Sequence, residues 1–355
     1  MPDAYLNRIA TAVPPHDVHD AFLSFGRRVL GGDNRRLVLF DRLVKRAEIA
    51  HRYSFLSPTG DAGAVDGEGF YRFGQFPNTA ARMRLFETLA PSLAAEAVRR
   101  LLAEEERGTI THLIVTSCTG LSAPGIDLEL IASCGLRPKV ERTFVGFMGC
   151  YAAINALKLA RHIVRSEPTA RVLTVNLELC TLHLQQTDRL DEMLSFLLFG
   201  DGCAAALISA QPRGARLESF HAALVPQTAD LIRWHIREQG FDMLLSGAVP
   251  GAIRGALAGA RDEILRGRTV DDIALWAVHP GGRTVLDAVE EAFALAPDKL
   301  TASRGVLHDY GNMSSGTVMF VLERLIAQAS AGAPGCAMAF GPGLVAETMQ
   351  FRMAA

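Results

Sequence analysis

Three residues far apart in the chain, Cys150, His279 and Asn312, could together make carbon–carbon bonds. Cys150 follows GFMG and opens the stretch YAAINALKLARHIV, which reads as a helix buried between layers because it is apolar nearly all round at its start. At a helix start, unpaired backbone N–H groups favour the thiolate, the form that attacks a carbonyl carbon. Gly146 and Gly149 let the backbone turn tightly and leave room beside the sulfur. Taken alone, Cys150 fits a packed core cysteine as well as a nucleophile. His279 ends the apolar run IALWAV and precedes Pro280-Gly281-Gly282, so an ionisable ring leaves a buried strand into a Gly-rich turn. Asn312 stands in GNMSSGTV, just ahead of another helical stretch. Singly, the histidine reads as a satisfied core residue and the asparagine as a turn or cap. Together the three are chemically coherent. An imidazole beside a helix-start thiol can hold an ion pair at neutral pH. Imidazole and carboxamide N–H groups side by side can donate to a developing oxyanion or enolate, which is what decarboxylative condensation requires.

Elements of alternating type must position these residues. Short apolar stretches rich in β-branched residues predict strands at Thr111–Ser117, Arg171–Leu177, Ala204–Ser209, Ile273–Val278 and Cys336–Phe340. Amphipathic stretches predict helices at Pro91–Arg107, Tyr151–Arg165, Thr284–Leu295 and Ser315–Ala329. The alternation implies a layered α/β architecture. The pattern runs twice, LLFGDGCAAALIS in the first half having a counterpart in the set from IALWAVHPGG to CAMAFGPGLVAETMQF. The break falls near Pro212–Arg216, dividing the chain into 1–212, with the cysteine, and 213–355, with the histidine and asparagine. SPTGDAGAVDGEG (57–69) reads as an exposed loop.

The composition narrows the function classes. In 355 residues, 36 Lys+Arg against 38 Asp+Glu leave a formal charge of −2, so nothing is expected to draw the chain electrostatically to nucleic acid or an anionic membrane. No apolar run approaches the roughly 18 residues of a membrane span, and the N-terminus lacks a basic then apolar leader. The six cysteines form no Cys-x-x-Cys pair, against both a zinc site and a disulfide framework. A cytoplasmic protein with no metal or redox cofactor is the expectation.

Six segments, THLIVTSCTGLSAPGID (111–127), VGFMGCYAAINALKLA (145–160), LFGDG (198–202), WAVHPGGRTVLD (276–287), YGNMSSGTV (310–318) and FGPGLVAET (340–348), resemble the type III polyketide synthases, the chalcone-synthase-like branch of the thiolase superfamily. They occur in the family's order over nearly the whole chain. The resemblance implies a thiolase fold of two similar halves in αβαβα layers, a homodimer, and acyl-CoA and malonyl-CoA used without a carrier protein. It makes Cys150 the acyl-accepting nucleophile, and His279 and Asn312 the pair that holds the malonyl thioester carbonyl and the enolate. Phe199 matches the gatekeeper phenylalanine, and the tunnel-mouth basic residues fall on Arg42 and Arg46, which read equally as a solvated helix face.

Cavity positions depart from the chalcone-forming pattern. Met243 replaces the second gatekeeper phenylalanine, and Trp234 a small glycine at the wall. Cys118 and His183 stand where the plant enzymes carry threonines, and Ala123 where a methionine reaches across the dimer. The expectation is a fatty acyl starter, with room for an alkyl tail opened by Ala123, and closure to an α-pyrone or resorcinol. The alternatives are a short or aromatic starter, or an initiating β-ketoacyl synthase of fatty-acid synthesis.

Overall fold

The computed structural model describes residues 2–355 except positions 32, 62, 188, 190, 191 and 194–196. Thirteen strands are numbered in chain order: β1 (Tyr5–Ala12), β2 (His16–Asp17), β3 (Tyr53–Ser54), β4 (His112–Ser117), β5 (Glu141–Gly146), β6 (Arg171–Leu179), β7 (Asp201–Ser209), β8 (Ala215–Leu224), β9 (Ile232–Arg237), β10 (Gly240–Leu245), β11 (Leu275–Val278), β12 (Pro334–Gly341) and β13 (Val345–Met353). Nine of them form a sheet in the order β11-β12-β13-β8-β1-β7-β6-β4-β5, while β9 and β10 make a separate antiparallel hairpin and β2 pairs β3.

The sheet carries one pattern twice. From β1 outward, β7 and then β6 pair antiparallel, and β4 joins β6 in parallel. From β8 outward, β13 and then β12 pair antiparallel, and β11 joins β12 in parallel. Among the described residues, the two sets pair at Tyr5↔Arg216 and Leu6↔Ala215. The chain passes from one set to the other between Ser209 and Ala215.

Strand alternation turns this sheet into layers. On β7, Ala204, Ala206 and Ile208 enter a central core, while Cys203, Ala205 and Leu207 enter an outer one. On β12, Ala337 and Ala339 face the same central core, and Cys336, Met338 and Phe340 a second outer one. The Ala152–Ser166 and Thr317–Gln328 helices supply the middle layer. The Thr79–Leu101 helix covers one outer face, and the Val249–Gly259 and Arg283–Phe293 helices the other. Buried on both sides, β4, β6 and β7 read as near-continuous apolar runs.

Each predicted strand and helix corresponds to an observed element, with one large displacement. The helix expected at Pro91–Arg107 spans Thr79–Leu101 with Pro91 inside it, followed by a short turn at Glu104–Arg107. Its true start is set by Asn78, whose side chain accepts from the Ala81 N–H. Packing against β1, β6 and β7 outweighs the proline. The 57–69 stretch is not all exposed: Ala64, Val65 and Asp66 are buried, and the Asp66 carboxylate accepts from the Phe70 and Tyr71 N–H groups. Among the described residues, no helix is long and apolar enough to cross a membrane.

Candidate active site

Cys150 lies in a single 3-10 turn, Gly149–Tyr151, that leads directly into the central Ala152–Ser166 helix. Gly149 has φ 76°, and a Cβ there would stand 2.3 Å from Pro342 Cδ, so only glycine lets the chain deliver the cysteine at this point. His279 follows the end of β11, its backbone N–H donating to Met338 O on β12 at 2.8 Å. Asn312 sits between two helices and pairs through its backbone with the Leu198–Gly200 segment.

A short chain of contacts connects the three. Cys150 and Ser314 line the same cavity, and the Ser314 hydroxyl lies 3.4 Å from Cys118 Sγ. Ser314 N–H donates to Asn312 Oδ1 at 2.8 Å, which fixes the amide so that Nδ2 points the other way. That Nδ2 donates to Gly281 O at 3.3 Å, and Gly281 N–H donates to His279 O at 3.0 Å. Both ring nitrogens of His279 are buried without a hydrogen-bond partner among the described residues. A buried imidazole left unsatisfied is unfavourable for folding and suits a ring that meets its partner only when substrate is present.

The electrostatics correct one expectation. Burial pushes the Cys150 thiol up to about 12 and the His279 imidazole down to about 3. The two therefore rest as thiol and neutral imidazole, not the ion pair that position alone allows. Desolvation outweighs the helix start, and the nearby Glu178 carboxylate adds to it. Cys150 is partly exposed while the other five cysteines are buried, so its reactivity can be read selectively. Because the thiol is raised, the thiolate fraction climbs through the whole neutral range. Alkylation by iodoacetamide should rise about tenfold per pH unit from 7 to 10 without a plateau; a plateau near pH 7 would restore the ion pair.

The cavity at Cys150 is lined by Cys118, Cys180, His183, Phe199, Trp234 and Met243, with Leu184, Ile232 and Pro342. Trp234 and Met243 are cross-strand partners on the β9–β10 hairpin. Trp234 Nε1 donates to Cys118 O at 2.6 Å, which locks the indole across the wall. Phe241 N–H donates to His183 Nδ1 at 3.1 Å, so the ring proton sits on Nε2 and donates to Thr119 O at 2.7 Å. Burial holds His183 neutral, its pKa lowered to about 3. The ring stacks on Phe241, centroids 4.1 Å apart, with Trp234 edge-on. This aromatic cluster forms one wall of the cavity.

Glu178 was not legible as a site residue, although a single carboxylate inside RVLTVNLEL is an anomaly that could have raised it. It is fully buried and accepts from Ser315 Oγ (2.6 Å), Thr119 Oγ1 (2.8 Å) and the Cys118 N–H (3.0 Å), with Cys118 Sγ at 3.4 Å. Arg52, also missed, is buried and donates to Phe199 O at 3.3 Å. In LFGDG, Asp201 accepts from the Thr181 N–H and hydroxyl and so anchors the turn that carries His183. Its carboxyl is raised to about 7 by burial.

Two sequence assignments fall outside this cavity. Ala123 is exposed in a separate surface hollow with Phe86 and Pro124, so it opens no room for a tail within this chain. Arg46 lines a second hollow with Leu43, Leu198 and Gly281, the neighbour of His279, whereas Arg42 is solvent-exposed on the same helix and does not line it.

The family models of chalcone and stilbene synthases match the chain at residues 4–212 (N-terminal domain) and 216–354 (C-terminal domain). The chain belongs to this family. It is 34% identical to bisdemethoxycurcumin synthase of Oryza sativa subsp. japonica over 371 residues, covering 96% of this chain and 90% of that one. It is 36% identical to the alpha-pyrone synthesis polyketide synthase-like Pks18 of Mycobacterium tuberculosis over 284 residues, 76% and 72% of the two chains. Among solved structures, PKS-I of the brown alga Ectocarpus siliculosus superposes with TM-score 0.88 at 28% identity, covering 99% of each chain. The type III domain of Steely1 from Dictyostelium superposes with TM-score 0.90 at 24% identity, covering 99% and 100%. The fold is the thiolase fold, and the chain is a type III polyketide synthase, an acyltransferase.

Proposed function

We propose that the chain loads an aliphatic acyl-CoA onto Cys150, extends it with malonyl-CoA by decarboxylative Claisen condensation, and releases an α-pyrone. The observation carrying this reading is the pair of buried His279 nitrogens without a partner among the described residues, linked through Gly281 to the Asn312 amide, which Ser314 holds at the wall of the Cys150 cavity. His279 takes the thiol proton as sulfur attacks the thioester carbonyl, and coenzyme A leaves. The malonyl carboxylate then departs as carbon dioxide while His279 and Asn312 donate to the enolate oxygen. The enolate carbon attacks the Cys150 thioester, sulfur leaves, and the lengthened chain returns to Cys150 for the next round. Lactonisation, an enol oxygen attacking the thioester carbonyl while its C–S bond breaks and the thiol leaves with the enol proton, closes the pyrone; aldol closure to a resorcinol is the other outcome.

The largely apolar lining, with Leu184, Ile232, Met243 and Pro342, supports an alkyl starter, and a relative bears an alpha-pyrone name. On this reading the halves 1–212 and 213–355 supply the nucleophile and the two N–H donors respectively, and Arg42 and Arg46 meet coenzyme A phosphates. We also propose a homodimer through the free edge of β5, because Leu121, Leu128, Phe144 and Met148 are exposed there and Ala123 lies on the adjoining loop. The cytoplasm, where both thioesters are made, is the proposed location.

The test is incubation with malonyl-CoA and acyl-CoA starters from acetyl to stearoyl plus coumaroyl, with products read by mass spectrometry. Pyrones from long starters support the proposal. Products only from short or aromatic starters overturn the starter, and turnover only with a malonylated carrier protein overturns the whole reading. Trp234→Gly should lengthen the product by at least one extension unit, because it removes the side chain that crosses the wall; an unchanged product would show that Trp234 does not limit the cavity.

A further inference from the structure

Arg52 is fully buried, yet it does not line the Cys150 cavity and takes no part in the chemistry assigned there. Its guanidinium is aimed by fixed neighbours. Nε donates to His19 Nδ1 at 3.0 Å and Nη2 to His19 O at 3.5 Å, while the group lies over the Phe22 ring, 5.3 Å from its centroid. Burial and the Arg52 charge push the His19 imidazole down to about 4, so Nδ1 remains an acceptor at neutral pH. Held in this way, Nη1 donates to Phe199 O at 3.3 Å.

The stem of Arg52 is wedged against two glycines. A Cβ on Gly200 would stand 3.4 Å from Arg52 Cβ, and one on Gly311 2.8 Å from Arg52 Cγ. Gly200 follows Phe199, and Gly311 precedes Asn312. The two segments are laced together, Asn312 N–H donating to Leu198 O at 2.8 Å and Gly200 N–H to Asn312 O at 3.1 Å. Arg52 thus touches both sides of a short ladder that joins a cavity wall residue of the first half to the amide donor of the second. A fully buried guanidinium is costly to desolvate, and an apolar side chain of similar volume can serve stability as well. Direction explains the arginine better: a rigid fork grips His19 with one arm and reaches the Phe199 carbonyl with the other.

We propose that Arg52 is a positioning residue for the condensation. It fixes the Phe199–Gly200 peptide and, through the ladder, the Asn312 backbone, so that the Phe199 ring closes the cavity while the Asn312 amide faces the enolate. The inference rests on the reading of Asn312 as an enolate donor, and adds a residue that touches neither substrate nor the reacting atoms. Without the Nη1 contact the ladder loosens and water enters. The enolate left by loss of carbon dioxide then takes a proton from water and leaves as acetyl-CoA, instead of attacking the Cys150 thioester.

The full chain would be assayed with malonyl-CoA and whichever acyl-CoA from acetyl to stearoyl gives most product, with labelled carbon dioxide, acetyl-CoA and polyketide measured together. Arg52→Met keeps a stem beside Gly200 and Gly311 but no donor. Its kcat for polyketide should fall about tenfold or more, with KM for malonyl-CoA changed less than about threefold. Carbon dioxide released per polyketide should rise at least about twofold. Arg52→Lys, which keeps a single donating group, should recover part of the loss. His19→Leu removes the acceptor that aims the fork and should raise the same ratio, which keeps the test decisive should Arg52→Met fail to fold. A folded Arg52→Met with the parent's kcat and ratio overturns the proposal. So does a loss in which carbon dioxide and polyketide fall together, because that marks a smaller active fraction. A parent chain that releases no carbon dioxide from malonyl-CoA overturns the Asn312 reading and this proposal together, whereas unaltered Arg52 and His19 variants of an active parent overturn this proposal alone.

Discussion

Replacing Cys150 by alanine should abolish polyketide formation from every starter while leaving a slow release of carbon dioxide from malonyl-CoA. The two steps separate because different residues carry them. Acyl transfer needs a sulfur at the start of the central helix, and Cys118 and Cys180, which also line the cavity, are buried and stand on other elements, whereas Cys150 is partly exposed. Decarboxylation needs only N–H donors aimed at the enolate oxygen, and His279 and Asn312 keep their positions without the sulfur because their contacts run to Gly281, Ser314 and Met338. Mass spectrometry of the products and release of labelled carbon dioxide would be measured in parallel. Polyketide from the alanine variant would remove Cys150 from the mechanism, and loss of both activities would mean that the variant disturbs the donor pair.

His279→Met and Asn312→Ala should each lower condensation by on the order of a hundredfold or more, since one oxyanion donor contributes about 3 kcal/mol. Their stabilities should move in opposite directions. His279 is a buried polar ring with no partner among the described residues, so an apolar replacement of similar volume should leave the melting temperature unchanged or higher. Asn312 Oδ1 accepts from the Ser314 N–H, and truncation strands that buried donor at a penalty of roughly 1–3 kcal/mol. Thermal melts beside the kinetics would check this. A destabilised His279→Met with normal turnover would make the histidine structural and leave the enolate to other donors.

Much of this was legible in the chain. Strands such as Asp201–Ser209 and Arg171–Leu179 announce themselves because burial on both faces demands unbroken apolar runs. The turns around Cys150, His279 and Asn312 stand out because Gly and Pro punctuate them, and Gly149 has a steric reason that admits no other residue. The half-exposed edge strand β5 was not legible. Neither was β1, whose buried residues follow no strict alternation.

What sequence alone determined was the inventory: which residue types with chemical capacity exist, on what kind of element each stands, and the order that matches a known family. Tertiary structure decided their state. Whether Cys150 rests as thiol or thiolate depends on water excluded by Trp234, Phe199 and Met243, side chains scattered along the chain that meet only in the folded cavity. That Glu178 gathers Ser315, Thr119 and Cys118, or that Ala123 lies outside the cavity, likewise follows from strands brought side by side. Desolvation and hydrogen-bond partnership arise from three-dimensional neighbours, and local pattern carries no record of them.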